Sequence, residues 1–268
     1  MMQLGLKAST NKAQIDDRLQ YQPDVFEFHL EDTDFTAAGW QHFIKMVSYV
    51  SDQVPHIVFH HPMKWHGQRC ELYTNAAVNS ALHDFVMQSA TQLIKLAQDV
   101  DAYALIHGAY KNNVPKIVAN WSTVSKAQDV VFERMDQLRE IAPDNVVFEN
   151  GTSPVYSYGD AEFENRIIAA DLPLACDVSH TFISVHGNND ALIASLHHLK
   201  SQIKHYHLVD SMGQRHDSLT LGKGLVDWQR VLNELNPQAS RIYEINLADQ
   251  QNCKEMLASH EYLTSLEK

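Results

Sequence analysis

The chain has 268 residues, 44% of them hydrophobic and 20% charged, with a formal net charge of −12. That is the composition of an ordinary globular protein, long enough for one large α/β domain. The acidic balance argues against a broad nucleic-acid footprint, which needs a basic patch, although bound cations would offset part of it locally.

The three cysteines, Cys70, Cys176 and Cys253, are far apart and form no CxxC pair. This excludes a disulfide framework or zinc ribbon and fits a reducing cytosol. The opening segment MMQLGLKAST lacks the apolar core of a secretory signal, and no apolar run reaches membrane-span length. A cytoplasmic protein without membrane contact is therefore expected.

Short β-rich runs alternate with helical patterns along the chain. The strand candidates are Gln3–Lys7, Val25–His29, Ile57–His61, Ala102–His107, Val146–Asn150, Leu174–Val178, Ile203–Leu208 and Arg241–Asn246. Between them, apolar residues recur at helical spacing. The first helix, Lys12–Leu19, is short. Thr36–Val54 follows, with Trp40, Phe43, Met46 and Val50 along one side, then Asn75–Val100, and Ser122–Ile141 ended by Pro143. Asp160–Ala170, Asp190–Leu199, Asp227–Leu235 and Gln250–Leu266 complete the series. Such alternation implies parallel strands joined by crossovers. Eight repeats favour a closed (β/α)₈ TIM barrel spanning 1–268 as one domain. The alternative, an open doubly wound sheet, would carry a glycine-rich loop after its first strand. Here that loop reads Ala8-Ser9-Thr10-Asn11.

In such a barrel the active site forms at the C-terminal ends of the strands. Those ends carry Glu27 and His29, then His60-His61-Pro62, His107-Gly108, and Glu149-Asn150-Gly151. Asp177-Val178-Ser179-His180, the run from His205 through His207 to Asp210, and Glu244 follow. Any one of these residues alone would read as the point where a strand leaves the core. Together they are consecutive strand ends of one chemical class. Burying so many ionisable groups side by side is costly unless a cation pairs with them. Carboxylate and imidazole ligands suit zinc, manganese, cobalt or iron. Side-chain alternation puts His205 and His207 on one face with Tyr206 opposite. It puts His60 and His61 on opposite faces, so one of them lies in the site. Asp177 and His180 are three apart across a strand-to-loop turn that can bring both to one centre.

The succession Glu149-Asn150, Asp177-x-x-His180, His207-Leu208-x-Asp210-Ser211, Gly222-Lys223-Gly224-x-x-Asp227-Trp228 and Glu244 resembles the xylose isomerase-like barrel superfamily. That superfamily includes sugar and sugar-phosphate isomerases and epimerases, and endonuclease IV. The resemblance implies one metal held by Glu149, Asp177, His207 and Glu244, with the two glutamates also acting as acid and base, and His180 contacting substrate. In endonuclease-like members, residues matching His60, His107 and His180 complete a three-zinc cluster. His60 fits the family's His-x-Pro pattern better than His61.

Two places depart from the pattern. Ser218 stands where relatives carry His or Arg before the glycine turn, with His216 and Asp217 just upstream as substitutes. Met63-Lys64-Trp65 stands where endonuclease-like members carry a tyrosine.

The expected activity is thus a metal-dependent isomerase or epimerase of a small sugar, polyol or sugar phosphate. It would exchange a proton through an enediolate by way of Glu149 and Glu244. His60, His107, His180 and His216 are expected near the substrate, and His60, His107, His180 and Asp217 as further ligands. The expected cofactor is a divalent ion (manganese, zinc, cobalt or magnesium), one in number and three at most. Lys64, Arg215 and Lys223 are candidates to reach a phosphate or carboxylate, and Trp65, Phe26 and Tyr110 to line the pocket, although solvated charge and core packing are the commoner roles. An endonuclease IV-like zinc phosphodiesterase acting on abasic DNA is the runner-up, and a non-catalytic metal-binding barrel the third reading. The expected partner is a small carbohydrate rather than a nucleic acid or membrane, and a homo-oligomer stays open.

Overall fold

The computed structural model describes residues 2–267. The chain opens with β1 (Gly5–Ala8), α1 (Lys12–Leu19), β2 (Val25–His29), a 3-10 turn (Asp32–Phe35), α2 (Ala37–Ser51) and β3 (His56–His60). A short antiparallel hairpin follows, β4 (Lys64–Trp65) with β5 (Gln68–Arg69), then α3 (Ser80–Asp99), β6 (Tyr103–His107), α4 (Val114–Trp121), α5 (Val124–Arg139) and β7 (Val146–Glu149). The last third comprises α6 (Ala161–Ala169), β8 (Leu174–Asp177), α7 (Val178–Ser184), α8 (Asn189–Leu199), β9 (Ile203–Leu208), α9 (Trp228–Glu234), β10 (Ser240–Tyr243) and α10 (Lys254–Ser265).

Eight strands pair in parallel in the order β1-β2-β3-β6-β7-β8-β9-β10, as expected of a (β/α)₈ TIM barrel. Closure is nearly complete: β10 comes so near β1 that a Cβ on Gly5 would fall 1.8 Å from the Arg241 carbonyl oxygen. Only glycine fits that approach.

Strand alternation sorts the side chains. Phe26, Phe28, Phe59, Ala104, Ile106, Phe148, Cys176, Tyr206, Leu208 and Tyr243 turn outward into the core beneath the helices. Val25, Val58, Leu105, Val147, Ala175 and Ile242 turn inward and plug the lumen. Two residues beyond each plug residue the lumen-facing position is ionisable: Glu27, His60, His107, Glu149, Asp177 and Glu244. The fold therefore stacks charge on an apolar floor.

Several boundaries differ from the sequence expectation, for local reasons. The helices start late because a polar cap precedes each: Thr36 accepts from Gly39 N (3.1 Å), Asn79 from Leu82 N (3.2 Å) and Thr123 from Lys126 N (3.1 Å). The segment before α5 is itself a helix, α4, with Pro115 in its first turn, and it ends at Ser122 with φ 66°. The expected last strand ends at Tyr243, so Glu244 lies on the loop just beyond it. The expected strand-to-loop turn after Asp177 is instead the start of α7, with Asp177 as its cap. The hairpin β4–β5 has no periodic signature long enough to read. Among the described residues, no helix is long and apolar enough to cross a membrane.

Candidate metal centre

Glu149, Asp177, His207 and Glu244 come from β7, β8, β9 and the end of β10, and each offers a ligand atom within 4.8 Å of the others. This is the set that the family resemblance implies. His207 Nδ1 lies 2.9 Å from Glu149 Oε1 and 2.8 Å from Glu244 Oε2. Asp177 is oriented by its own helix: Oδ1 accepts from His180 N and Ser179 Oγ, both at 2.8 Å, and Oδ2 is left buried without a partner. Asn150 braces this turn, accepting from Asp177 N at 2.9 Å and donating to Thr181 Oγ1 at 3.1 Å.

The fit to a divalent cation can be judged from Glu149. Both of its oxygens are fully buried and make no hydrogen bond of acceptable angle, although His107 Nε2 and His207 Nδ1 approach to 2.8 and 2.9 Å. Nitrogens and oxygens here converge on a common point rather than aligning donor to acceptor. Metal bonds of about 2.0–2.2 Å place neighbouring ligand atoms at such separations. A buried carboxylate without a well-aligned hydrogen bond is costly, and a cation among these donors would relieve it.

His60 and His107 extend the set, forming with Glu149 a second group able to hold an ion. Of the adjacent pair, His60 faces the lumen, 3.5 Å from Glu149 Oε2. His61 turns outward to Ser89 Oγ at 2.8 Å. Asp177, His180 and His216 form a third group, and the His180 and His216 rings lie 4.7 Å apart. Asp217, expected as a further ligand, belongs to none of these groups; its Oδ2 accepts from Met212 N at 3.3 Å and so shapes the loop. His216 is the residue that this loop delivers to the site. The loop itself is held by Asp210, whose carboxylate accepts from Ser211, Gly222, Gly224 and Val226 N at 2.8–3.2 Å. A Cβ at Gly224 would fall 2.3 Å from Asp210 Oδ1, which accounts for that glycine.

Sequence reasoning missed Lys7, whose ammonium ion-pairs with Glu244 and lies 4.0 Å from Glu27. It noted Glu27 at a strand end without giving it a role. The available signal was a charge in the middle of each short apolar strand.

Electrostatically the metal-free centre is tightly paired. Burial pushes the Glu149 carboxyl upward, but His107 and His207 hold it well below the usual range. Burial likewise opposes ionisation of Glu244, and Lys7 and then His207 overcome it. Burial disfavours a charged His207, yet Glu149, Glu27 and Glu244 raise its pKa well above normal. Desolvation pulls His107 down to about 4 despite Glu149.

The centre opens into a cavity of about 460 Å³ lined by Lys7, His29, His107, His180, His216 and Glu244, among others. Trp65, Phe26 and Tyr110 do not line it: Trp65 stacks on Phe85 at 5.2 Å, Phe26 faces the outer core, and Tyr110 packs 4.1 Å from the His107 ring. Lys64, Arg215 and Lys223 are exposed and outside it.

The pattern of one protein family, described as xylose isomerase-like TIM barrel, matches residues 52–247. Among solved structures, a D-tagatose 3-epimerase-like protein superposes with a TM-score of 0.73 at 19% identity, over 99% of this chain and 97% of that one. A D-psicose 3-epimerase from Clostridium cellulolyticum, solved with D-tagatose, gives 0.64 at 12% identity over 99% and 97%. A Thermus thermophilus protein soaked with zinc chloride gives 0.63 at 15% identity over 99% and 98%. At these identities the likeness shows the fold alone. No curated protein matches the chain by sequence.

Proposed function

The chain belongs to the xylose isomerase-like TIM barrel family, and from that premise we propose that it is a divalent-metal-dependent isomerase or epimerase of a small sugar or polyol. The observation that carries this reading is the meeting of two glutamates from different strands, Glu149 and Glu244, with Asp177 and His207. A bound divalent cation supplies Lewis-acid polarisation of adjacent substrate oxygens. Glu149 and Glu244 take a proton from, and return one to, the carbon beside the substrate carbonyl. Lys7 keeps Glu244 ionised and fixes its direction. His180, with Nδ1 held 2.9 Å from Asn150 O, presents its other nitrogen to the cavity, where it orients a hydroxyl group.

Among the described residues lining the cavity, Lys7 is the one lysine or arginine, and its charge is matched by Glu244 and Glu27. Glu31 adds negative charge at the wall. A neutral sugar suits this lining better than a sugar phosphate, which would seek an unmatched cation. The test is a screen of keto- and aldo-sugars with added manganese or zinc, read as deuterium uptake from D₂O at the carbon next to the carbonyl. Glu149→Ala and Glu244→Ala are expected to abolish uptake; an unchanged rate in both removes the acid/base assignment.

A second reading has its own support. His60 and His107 reach Glu149, and His180 and His216 reach Asp177, so the donors suffice for a cluster of the endonuclease IV-like kind acting on abasic DNA. Elemental analysis separates the two: about three tightly bound zinc ions favour phosphodiester hydrolysis, a single exchangeable ion the isomerase.

A further inference from the structure

Glu27 is completely buried in the barrel, 178 and 180 residues in sequence from its two partners, and the reaction proposed above makes no use of it. We infer that Glu27 is a positioning residue that sets the tautomer and ring direction of His207, with His205 and Lys7 holding Glu27 in turn. The inference rests on His207 being a metal ligand, and not on which reaction follows.

The hydrogen-bond geometry carries the argument. Glu27 Oε2 lies 2.8 Å from His207 Nε2 and 3.1 Å from His205 Nε2. A carboxylate only accepts, so both Nε2 atoms must carry the proton. His205 Nδ1 lies 2.7 Å from Ser240 Oγ, much nearer than the Lys204 carbonyl at 3.4 Å that competes for the hydroxyl proton, so the His205 ring is satisfied as the neutral Nε2–H tautomer when Ser240 donates to it. His207 Nδ1 faces Glu149 Oε1 and Glu244 Oε2, the point on which the proposed ligands converge; without a cation it donates to Glu244, and that Nδ1 proton, not the one on Nε2, is the one a metal would replace. The His207 bond crosses the lumen, because β2 and β9 are separated by β1 and β10 around the barrel. It therefore does no work in pairing adjacent strands.

Glu27, His205 and His207 could themselves ligate an ion. Two observations favour the positioning role. Both nitrogens that face the carboxylate make well-formed hydrogen bonds to its Oε2, and the Lys7 ammonium, shared with Glu244, lies 4.0 Å from Oε1. A ligating histidine that donates its far N–H to a carboxylate is held in orientation and made a stronger ligand.

The test is Zn²⁺ titration of metal-free full-length protein against a competing chelator, for wild type, Glu27→Gln, Glu27→Ala and Asp177→Ala. Loss of the partner carboxylate is expected to weaken zinc binding about 10- to 100-fold in Glu27→Ala. Glu27→Gln keeps one carbonyl acceptor and most of the volume, so its loss is expected to be smaller, and it carries the test if the alanine variant fails to fold. In ¹H–¹⁵N spectra of the zinc-loaded protein, the His207 Nε2–H signal is expected to be protected from exchange in wild type and shifted or lost in the variants. A role confined to packing would lower thermal stability and leave both readouts in place. Wild-type zinc affinity and an unchanged His207 signal in Glu27→Gln, with Asp177→Ala impaired, would overturn the inference alone. Wild type that binds no zinc overturns the metal centre and the inference with it.

Discussion

Glu71 offers a prediction whose size follows from its surroundings. It lies on the loop after the β4–β5 hairpin, 5% exposed, with Oε2 accepting from Tyr110 N at 2.8 Å. Burial pushes its carboxyl from the ordinary 4.5 up to about 7, against the Tyr110 hydrogen bond and the charges of Arg69 and Lys116. Tyr73, Cys70 and Tyr110, also packed nearby, stay neutral, their own pKa values raised by burial. An acid raised in the folded state contributes its full stability below pH 4.5 and loses it as pH climbs through about 7. The gap corresponds to about 3 kcal/mol, at about 1.4 kcal/mol per pH unit. Glu71→Gln does not titrate, yet its carbonyl can still accept from Tyr110. The variant is therefore expected to gain on wild type by up to about 3 kcal/mol between pH 4.5 and 8, or roughly 2–4 °C in Tm for each kcal/mol. Urea unfolding of both proteins at pH 4.5, 6 and 8 gives the double difference, in which every other titrating group cancels. A difference between variant and wild type that stays flat across this window would refute the reasoning. Because the Tyr110 ring packs 4.1 Å from His107, the same variant also reports whether this loop disturbs the centre.

Three further outcomes are expected. Metal uptake must displace a proton from His207, whose pKa is raised in the metal-free protein; zinc affinity should therefore fall about tenfold for each unit of acidification below neutrality, and calorimetry in two buffers of different ionisation enthalpy should show proton release. Asp210→Ala strips the acceptor from four backbone N–H groups, so urea unfolding should show a loss of about 3 kcal/mol or more, with Asp210→Asn intermediate. His61→Phe, which alters a side chain turned away from the lumen toward Ser89, should leave zinc affinity within about twofold of wild type while costing about 1–3 kcal/mol in chemical unfolding.

Much of this molecule could be read from the chain alone, because the relevant forces act over a few residues. The alternation of β-rich and helical runs specified eight parallel strands, since hydrophobic period is set by local backbone geometry. The same period-two rule placed His205 and His207 on one face, a reading borne out by their shared contact with Glu27 Oε2. Polar strand ends of one chemical class marked the mouth of the barrel as the site, because barrel strands deliver their ends to one face; the choice of Glu149, Asp177, His207 and Glu244 among them came from the family resemblance.

What remained hidden depends on the ring closing. Lys7 reads as an ordinary charge near a chain end, and acquires a partner only when β10 comes against β1 and brings Glu244 from 237 residues away. Glu27 and His207 meet across a lumen that no linear pattern describes. The choice of His216 over Asp217 rests on how the Asp210-anchored loop turns, and the raised Glu71 on a loop whose burial has no period. Local sequence determines which residues face inward, whereas barrel closure and loop packing decide which inward charges become neighbours, because pairing energies depend on distance through space and on the water that folding excludes.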